Sequence, residues 1–132
     1  MKCIVVTPET TLLDVEATFV ALPLFDGEIG IGKGHTPLVG RLGFGEMRVT
    51  NDKQTESYFV EGGFVEVLDG NVTLMTNNAV PSEELDIGEA RTELESALKK
   101  SAQTEDQLDL REMTVAAARA RLRLAEKRHG GK

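Results

Sequence analysis

The sequence holds a single cysteine, Cys3, so no internal disulfide can form. Set in an alternating apolar run, Cys3 reads as a small buried hydrophobe rather than a nucleophile, and the expected compartment is the reducing cytosol. Histidine is almost as scarce. His35 and His129 are the only two, and with the cysteine at the opposite end of the chain no set of metal ligands can be assembled by spacing. There is no Gly-x-Ser-x-Gly elbow and no acid pair with a matching base, so the chain is poorly equipped as a catalyst. No run approaches the roughly 18 apolar residues of a spanning helix. The opening "MKCIVVTPETTLLD" has no apolar core of signal-peptide length, and neither secretion nor a membrane crossing is expected. Positive charge is the last shortage: 15 Lys and Arg face 22 Asp and Glu, for a net charge of −7. Because duplex affinity is dominated by phosphate neutralisation, that balance argues against nucleic acid as a main partner.

What remains is a soluble, globular chain of 132 residues, 40% hydrophobic and 28% charged, long enough for one compact domain or two small ones. Its charge is polarised. Residues 1–80 carry 5 basic and 11 acidic side chains, residues 81–112 carry 4 and 10, and residues 113–132 carry 6 and 1.

The hydrophobic period also changes along the chain. In "DVEATFVALPL" Val15, Ala17, Phe19 and Ala21 alternate with Glu16 and Thr18, which predicts one half-buried strand. "ESYFVEGGFVEVLDGNVTLMTN" predicts three short strands, split at Gly62-Gly63 and at the hairpin turn Asp69-Gly70-Asn71. Many short strands with Gly-rich turns imply a sandwich or barrel. After Pro81 the spacing becomes helical. Ser82 is a candidate N-cap, with Ile87, Ala90, Leu94, Ala97 and Leu98 on one face and Lys99 and Lys100 in the last turn. A second helix is predicted from about Glu105 to Arg128, with stripes through Leu108, Val115, Leu122 and Ala125 and through Leu110, Met113, Ala117, Ala120 and Leu124. The small residues between the stripes allow an antiparallel hairpin, and "HGGK" reads as a frayed tail. Two helices have little core of their own, which makes this half a candidate mobile element.

"FDGEIGIGKGHTPLVGRLGFGEMRV" (Phe25 to Val49) packs seven glycines and His35 into 25 residues. A phosphate loop would need a helix to follow it, and Thr36-Pro37 with Gly40, Gly43 and Gly45 excludes one. These glycines read as turns, and His35 as a structural or interface residue. Arg119, Arg121 and Arg123 stand 200° apart in steps of two, so with Lys127 and Arg128 they surround the second helix with charge rather than making one stripe. Such a helix reads either as a solvated face or as one suited to an acidic cleft or neighbour.

At these residues the sequence resembles the epsilon subunit of F-type ATP synthases, over nearly its whole length. "DGEIGIGKGHTPLVGRLGFGEMRV" is similar to the family's Gly-Glu-x-Gly-Ile-x-x-Gly-His-x-Pro-Leu signature. "FVEGGFVEVLDGNVTLMTNNA" resembles the strand pair that follows, and "EELDIGEA" the start of its helical hairpin. The resemblance implies a flattened β-sandwich over residues 1–81, docked on the rotor, and a regulatory α-helical hairpin over residues 82–132. It implies a non-catalytic central-stalk subunit that couples proton-driven rotation to the catalytic head and restrains ATP hydrolysis through its C-terminal helices. By carry-over, Asp26, Gly27 and Glu28 would meet the c-ring, and His35, Thr36 and Pro37 the gamma subunit. With the hairpin extended, Arg119, Arg121, Arg123 and Arg128 would meet acidic segments of alpha and beta.

Some relatives bind ATP through Ile/Leu-Asp-x-x-Arg-Ala. Here the matching residues are Asp86 and Ala90, but Glu89 replaces the arginine and Arg91 lies 200° round the helix, so weak or absent ATP binding, and no other cofactor, is expected. The resemblance places the protein peripherally on the cytoplasmic face of a bacterial membrane, or on the stromal face of the thylakoid. A free-standing β-sandwich adaptor remains the alternative, and a small hydrolase or nucleotide-binding enzyme is favoured by no residue.

Overall fold

In the computed structural model, which describes residues 1–130, strands precede helices. They are β1 (Lys2–Val6), β2 (Thr11–Glu16), β3 (Phe19–Leu24), β4 (Gly27–Gly32), β5 (Leu38–Asn51), β6 (Gln54–Leu68), β7 (Asn71–Met75) and β8 (Ala79–Pro81). A 3-10 turn at Ser82–Glu84 leads to α1 (Ile87–Lys99) and α2 (Glu105–His129). The chain divides into two compact units between Pro81 and Ser82.

The strands form one hydrogen-bonded path, β2-β1-β7-β6-β5-β3-β4, with β8 added to β6. It becomes two layers because β5 and β6 are long and serve both. Their ladder keeps one register from Leu38↔Val67 to Asn51↔Gln54. The face turned to the core changes parity along it. Leu42 and then Met47 and Val49 are buried on β5; Val65 and Val67 and then Val60 are buried on β6. On β6 the change falls at Gly62 (φ +68) and Gly63 (φ +109), backbone conformations that L side chains rarely adopt. A Cβ on Gly63 would meet the Met75 carbonyl oxygen and lie 2.8 Å from Thr76 Cα. The pair expected to split this segment therefore bends a continuous strand instead.

One layer is thus β2-β1-β7-β6-β5 and the other β8-β6-β5-β3-β4. Their facing sides bury Cys3, Val5, Val20, Leu22, Ile31, Leu42, Met47, Val60, Val65, Val72 and Leu74. Each such side chain contributes about 1.5–3 kcal/mol of transfer free energy when fully buried. Asp69 (φ 51) and Gly70 (φ 79) make the predicted two-residue turn between β6 and β7.

The reading of Val15 to Ala21 as one strand is corrected. The chain breaks at Ala17-Thr18, where the Thr18 amide and Oγ1 both donate to the Thr50 carbonyl. Before the break β2 pairs with β1; after it β3 pairs with β4 and β5. Val20 and Leu22 face the core while Phe19 is exposed.

The helical unit also departs from expectation at its start. Ser82 is buried in the 3-10 turn, its carbonyl accepting from the Leu85 amide, and is not the N-cap. Asp86 is: its side chain accepts from the Glu89 amide at 2.8 Å. Thr104 caps α2 in the same way. The tail is shorter than predicted, since His129 ends α2 and the Gly130 amide donates to the Glu126 carbonyl; Gly131 and Lys132 lie outside the described residues. Ala90, Ala97, Val115, Ala118, Ala120, Leu124 and Ala125 are buried, whereas Leu98, Leu108, Leu110 and Met113 stay exposed near the interhelical turn. Both predicted stripes of α2 are therefore buried or half-buried in its C-terminal half, from Val115 to Ala125, and exposed in its first turns, at Leu108, Leu110 and Met113.

Candidate functional site

Strand pairing fixes the most informative surface. On the outer side of the first layer Arg41 (β5), Phe64 (β6), Met75 (β7) and Val6 (β1) stand directly opposite one another, strand to strand. The next row is Val39, Glu66, Thr73 and Ile4. Val39 is 75% exposed, Phe64 55% and Met75 49%, and Leu68 extends the patch. A sheet with one face in the core normally turns polar residues to water, so a contiguous apolar outer face marks a surface that is covered in use. Along its first row runs an open groove of about 730 Å³ that includes Thr7, Pro8, Gly63, Thr76 and Asn77. Sequence reasoning missed this face. Its signal was available: Phe64-Val65 and Val67-Leu68 put apolar residues on both sides of β6, beyond what one core face needs.

Of the residues singled out in the sequence, those of the sandwich lie in the turn before β4, in its first residues and in the loop after it. Phe25 and Asp26 form the turn between β3 and β4, and the Phe25 amide donates to the Arg41 carbonyl. The Arg41 guanidinium lies 4.8 Å from the Phe25 ring centroid. Gly27 opens β4 and Glu28 follows it, 3.4 Å from Arg48, whose other partner is Glu46 at 3.1 Å. Hydrogen bonding to Glu28 first, then to Glu46, raises the Arg48 pKa against the opposing effect of desolvation. His35, Thr36 and Pro37 occupy the loop from β4 to β5, just before Val39. The His35 amide donates to Gly32, and its Nδ1 is 2.7 Å from the Thr36 carbonyl oxygen. The two sets sit at opposite ends of β4, about 16 Å apart along the strand.

In the helical unit the four arginines are not equivalent. Arg119, Arg123 and Arg128 are exposed, while Arg121 is largely covered and lies 3.7 Å from Glu93 of α1. Arg91 of α1 lies 3.7 Å from Glu126 of α2. Arg111, not singled out in the sequence, spans the interhelical turn: its Nε donates to the Lys100 carbonyl and a terminal nitrogen to the Leu98 carbonyl, both at 2.8 Å. Those carbonyls belong to the last turn of α1, where helical partners run out. Of the nucleotide-motif positions, Asp86 is committed to its cap, Ala90 is buried, and Arg91 faces Glu126. The hollow beside them, about 480 Å³, is lined by Glu83, Glu84 and Asp86 together with His129.

Among the described residues no group of three or more His, Cys, Asp or Glu side chains could hold a metal ion, and no helix is long and apolar enough to cross a membrane. What the surface offers is a broad apolar face with a charged margin, the mark of a docking module.

The comparisons give that module its family. Residues 1–82 match the model of the ATP synthase delta/epsilon chain β-sandwich domain. An ATP synthase epsilon chain from Rhodopirellula baltica is 46% identical over 123 residues, covering 93% of this chain and 96% of its own. The chloroplastic epsilon chain of Gracilaria tenuistipitata var. liui is 36% identical, covering 91% and 90%. Among solved structures, a chain of the Euglena gracilis mitochondrial ATP synthase (OSCP/F1/c-ring, rotational state 1) superposes with a TM-score of 0.78 at 26% identity, covering 89% of this chain and 76% of that one. A chain from the Tetrahymena thermophila mitochondrial ATP synthase central stalk and c-ring shares the fold, with a TM-score of 0.75 at 11% identity. The chain belongs to the ATP synthase epsilon chain family. It is a subunit of that enzyme and not itself a catalyst.

Proposed function

We propose that this subunit rides in the central stalk, its sandwich seated on gamma through the outer face of Val39, Phe64 and Met75 and on the polar loops of the c-ring through Asp26, Gly27 and Glu28. His35, Thr36 and Pro37 extend the gamma contact. The observation that carries the reading is the exposed apolar face itself, since a patch of this kind on a folded domain marks a surface that a partner covers. The assembly works at the cytoplasmic face of a bacterial membrane, or at the stromal face of a thylakoid, peripherally and through its partners.

The hairpin is the regulatory part. One of its cross-links, Arg91 to Glu126, has both side chains exposed and is worth about 0–1 kcal/mol. A contact this weak suits an element that opens. Extended, it presents Arg119, Arg121, Arg123 and Arg128 to acidic segments of alpha and beta and restrains hydrolysis; the two packings must differ by only a few kcal/mol to be switchable. ATP does not set the balance in this chain. Glu83, Glu84 and Asp86 line the hollow where phosphates would sit, Glu89 stands at the motif's arginine position, and isothermal titration is expected to give no micromolar binding.

The deciding experiment measures ATP hydrolysis by a matching alpha-beta-gamma complex with the full chain and with a truncation ending at Pro81. Both should bind and only the full chain should inhibit. If the truncation inhibits equally, the hairpin is no brake; if neither binds, the stalk reading fails. Reversing all four arginine charges should relieve inhibition, and unchanged inhibition would remove the electrostatic part.

A further inference from the structure

The geometry points to a carboxylate on gamma as the partner of Arg41, seated at the edge of the apolar groove beside an aliphatic side chain that packs on Phe64 and Met75. This rests on the reading that gamma covers the face.

The groove's polar residues differ in what they still require. Thr76 Oγ1 donates to the Gly62 carbonyl at 2.6 Å, and Asn77 Nδ2 donates to the Glu61 carbonyl. Thr7 Oγ1 donates to the Thr10 carbonyl and accepts from the Thr10 amide. Their donors are used within the chain. Arg41 is different: it stacks on Phe25, and among the described residues its guanidinium makes no ion pair and no hydrogen bond. No carboxylate of the chain takes this role among the described residues: Glu66 stands opposite Val39, diagonal to Arg41, without an ion pair to it, and Glu28 is paired with Arg48.

An exposed guanidinium is satisfied by water, but a partner that buries the row Arg41-Phe64-Met75-Val6 removes that water. A charge covered without a counter-charge opposes binding strongly, so a productive partner brings its own anion. A planar guanidinium is best matched by a carboxylate accepting two parallel hydrogen bonds, and its stacking on Phe25 already restricts the plane in which those donors lie. The contact is then specific in two ways: apolar area gives affinity, and the Arg41 pair rejects a surface whose anion is missing or misplaced.

The test measures binding of the full chain to an immobilised alpha-beta-gamma complex lacking epsilon, across a salt series. Phe64→Ser probes the face, Arg41→Met and Arg41→Glu probe the charge, and Glu66→Gln is the control. Arg41→Glu is expected to weaken binding by about 100-fold, and Arg41→Met by about tenfold with a shallower salt dependence. A lysine or arginine at one acidic position of gamma should restore binding to Arg41→Glu. If Phe64→Ser weakens binding while both Arg41 variants match the wild type, the carboxylate inference is overturned and the face reading stands. If all three bind normally, the face reading falls as well. Arg41 variants that change only self-association of the chain, seen by sedimentation, would assign the groove to a second copy and overturn the proposal. Since Arg41 is exposed, unchanged thermal melting of its variants separates these outcomes from misfolding.

Discussion

Replacing Gly63 with alanine should come close to unfolding the sandwich, although it adds one methyl group. At φ +109 the residue lies outside even the left-handed helical region, which costs a side-chain-bearing residue about 1–3 kcal/mol. The new Cβ would also stand 2.8 Å from Thr76 Cα and closer still to the Met75 carbonyl oxygen, both backbone atoms that cannot rotate away. β6 and β7 would have to part where Phe64 opposes Met75 and Val65 opposes Leu74. Losing one or two ladder hydrogen bonds adds about 1–2 kcal/mol, and loosening the buried Val65 and Leu74 adds about 1 more. The expected total is about 4 kcal/mol, against a typical domain stability of about 5–15 kcal/mol. Gly70→Ala is the control: its φ is +79, but a Cβ there meets nothing within 4 Å, so only the backbone term of about 1 kcal/mol applies. Urea unfolding followed by Tyr58, the only tyrosine in a chain without tryptophan, measures both. A Gly63→Ala protein no less stable than Gly70→Ala would refute the claim that this glycine sets the bend.

Burial pushes the Cys3 thiol from its ordinary value near 9 up to about 11. A pKa raised in the folded state leaves stability intact below the unfolded value and removes it as pH climbs through the folded one, so stability should fall between about pH 9 and 11. Cys3→Ala should lower stability at neutral pH yet flatten that fall, as urea midpoints across the range would reveal. Arg111→Met should leave the sandwich unchanged but speed amide exchange around the interhelical turn by about fivefold, because two α1 carbonyls lose their cap; unaltered exchange would assign Arg111 no such role. Asp86→Ala should cost the hairpin about 1 kcal/mol through the lost N-cap, read as reduced helical ellipticity on heating, whereas Ser82→Ala should not shift the start of α1.

Strands followed by two helices were legible because the hydrophobic period changes at Pro81 and propensity agrees with it on both sides. The Asp69-Gly70 turn was legible because two residues with positive φ between apolar runs have few other uses. Gly62-Gly63 was misread for a physical reason: locally a glycine pair marks a turn, and only the long partner strand β5 holds the chain extended through it. Alternation from Val15 to Ala21 concealed a break, since nothing between Val15 and Ala21 announces that Thr18 will turn toward Thr50. Ser82 has a capping side chain, but Asp86 stands nearer the helix that forms. The four arginines looked alike in sequence, and Glu93, twenty-eight residues upstream of Arg121, distinguishes one of them. The groove beside Arg41 was least visible, being assembled from four strands whose order the sequence does not state.

The ladder between β5 and β6 also bears on how the sandwich is reached from the unfolded chain. It closes over two residues, Asp52 and Lys53, so its loop entropy is small, yet it runs the full length of both layers. One early, local pairing therefore aligns the whole sandwich, and the remaining strands add to edges already in register. The same economy concentrates the risk of error: a slip of one residue in that hairpin would put Met47 and Val49 of β5 on the opposite face from Val60 and Val65 of β6, parting the core that both layers share.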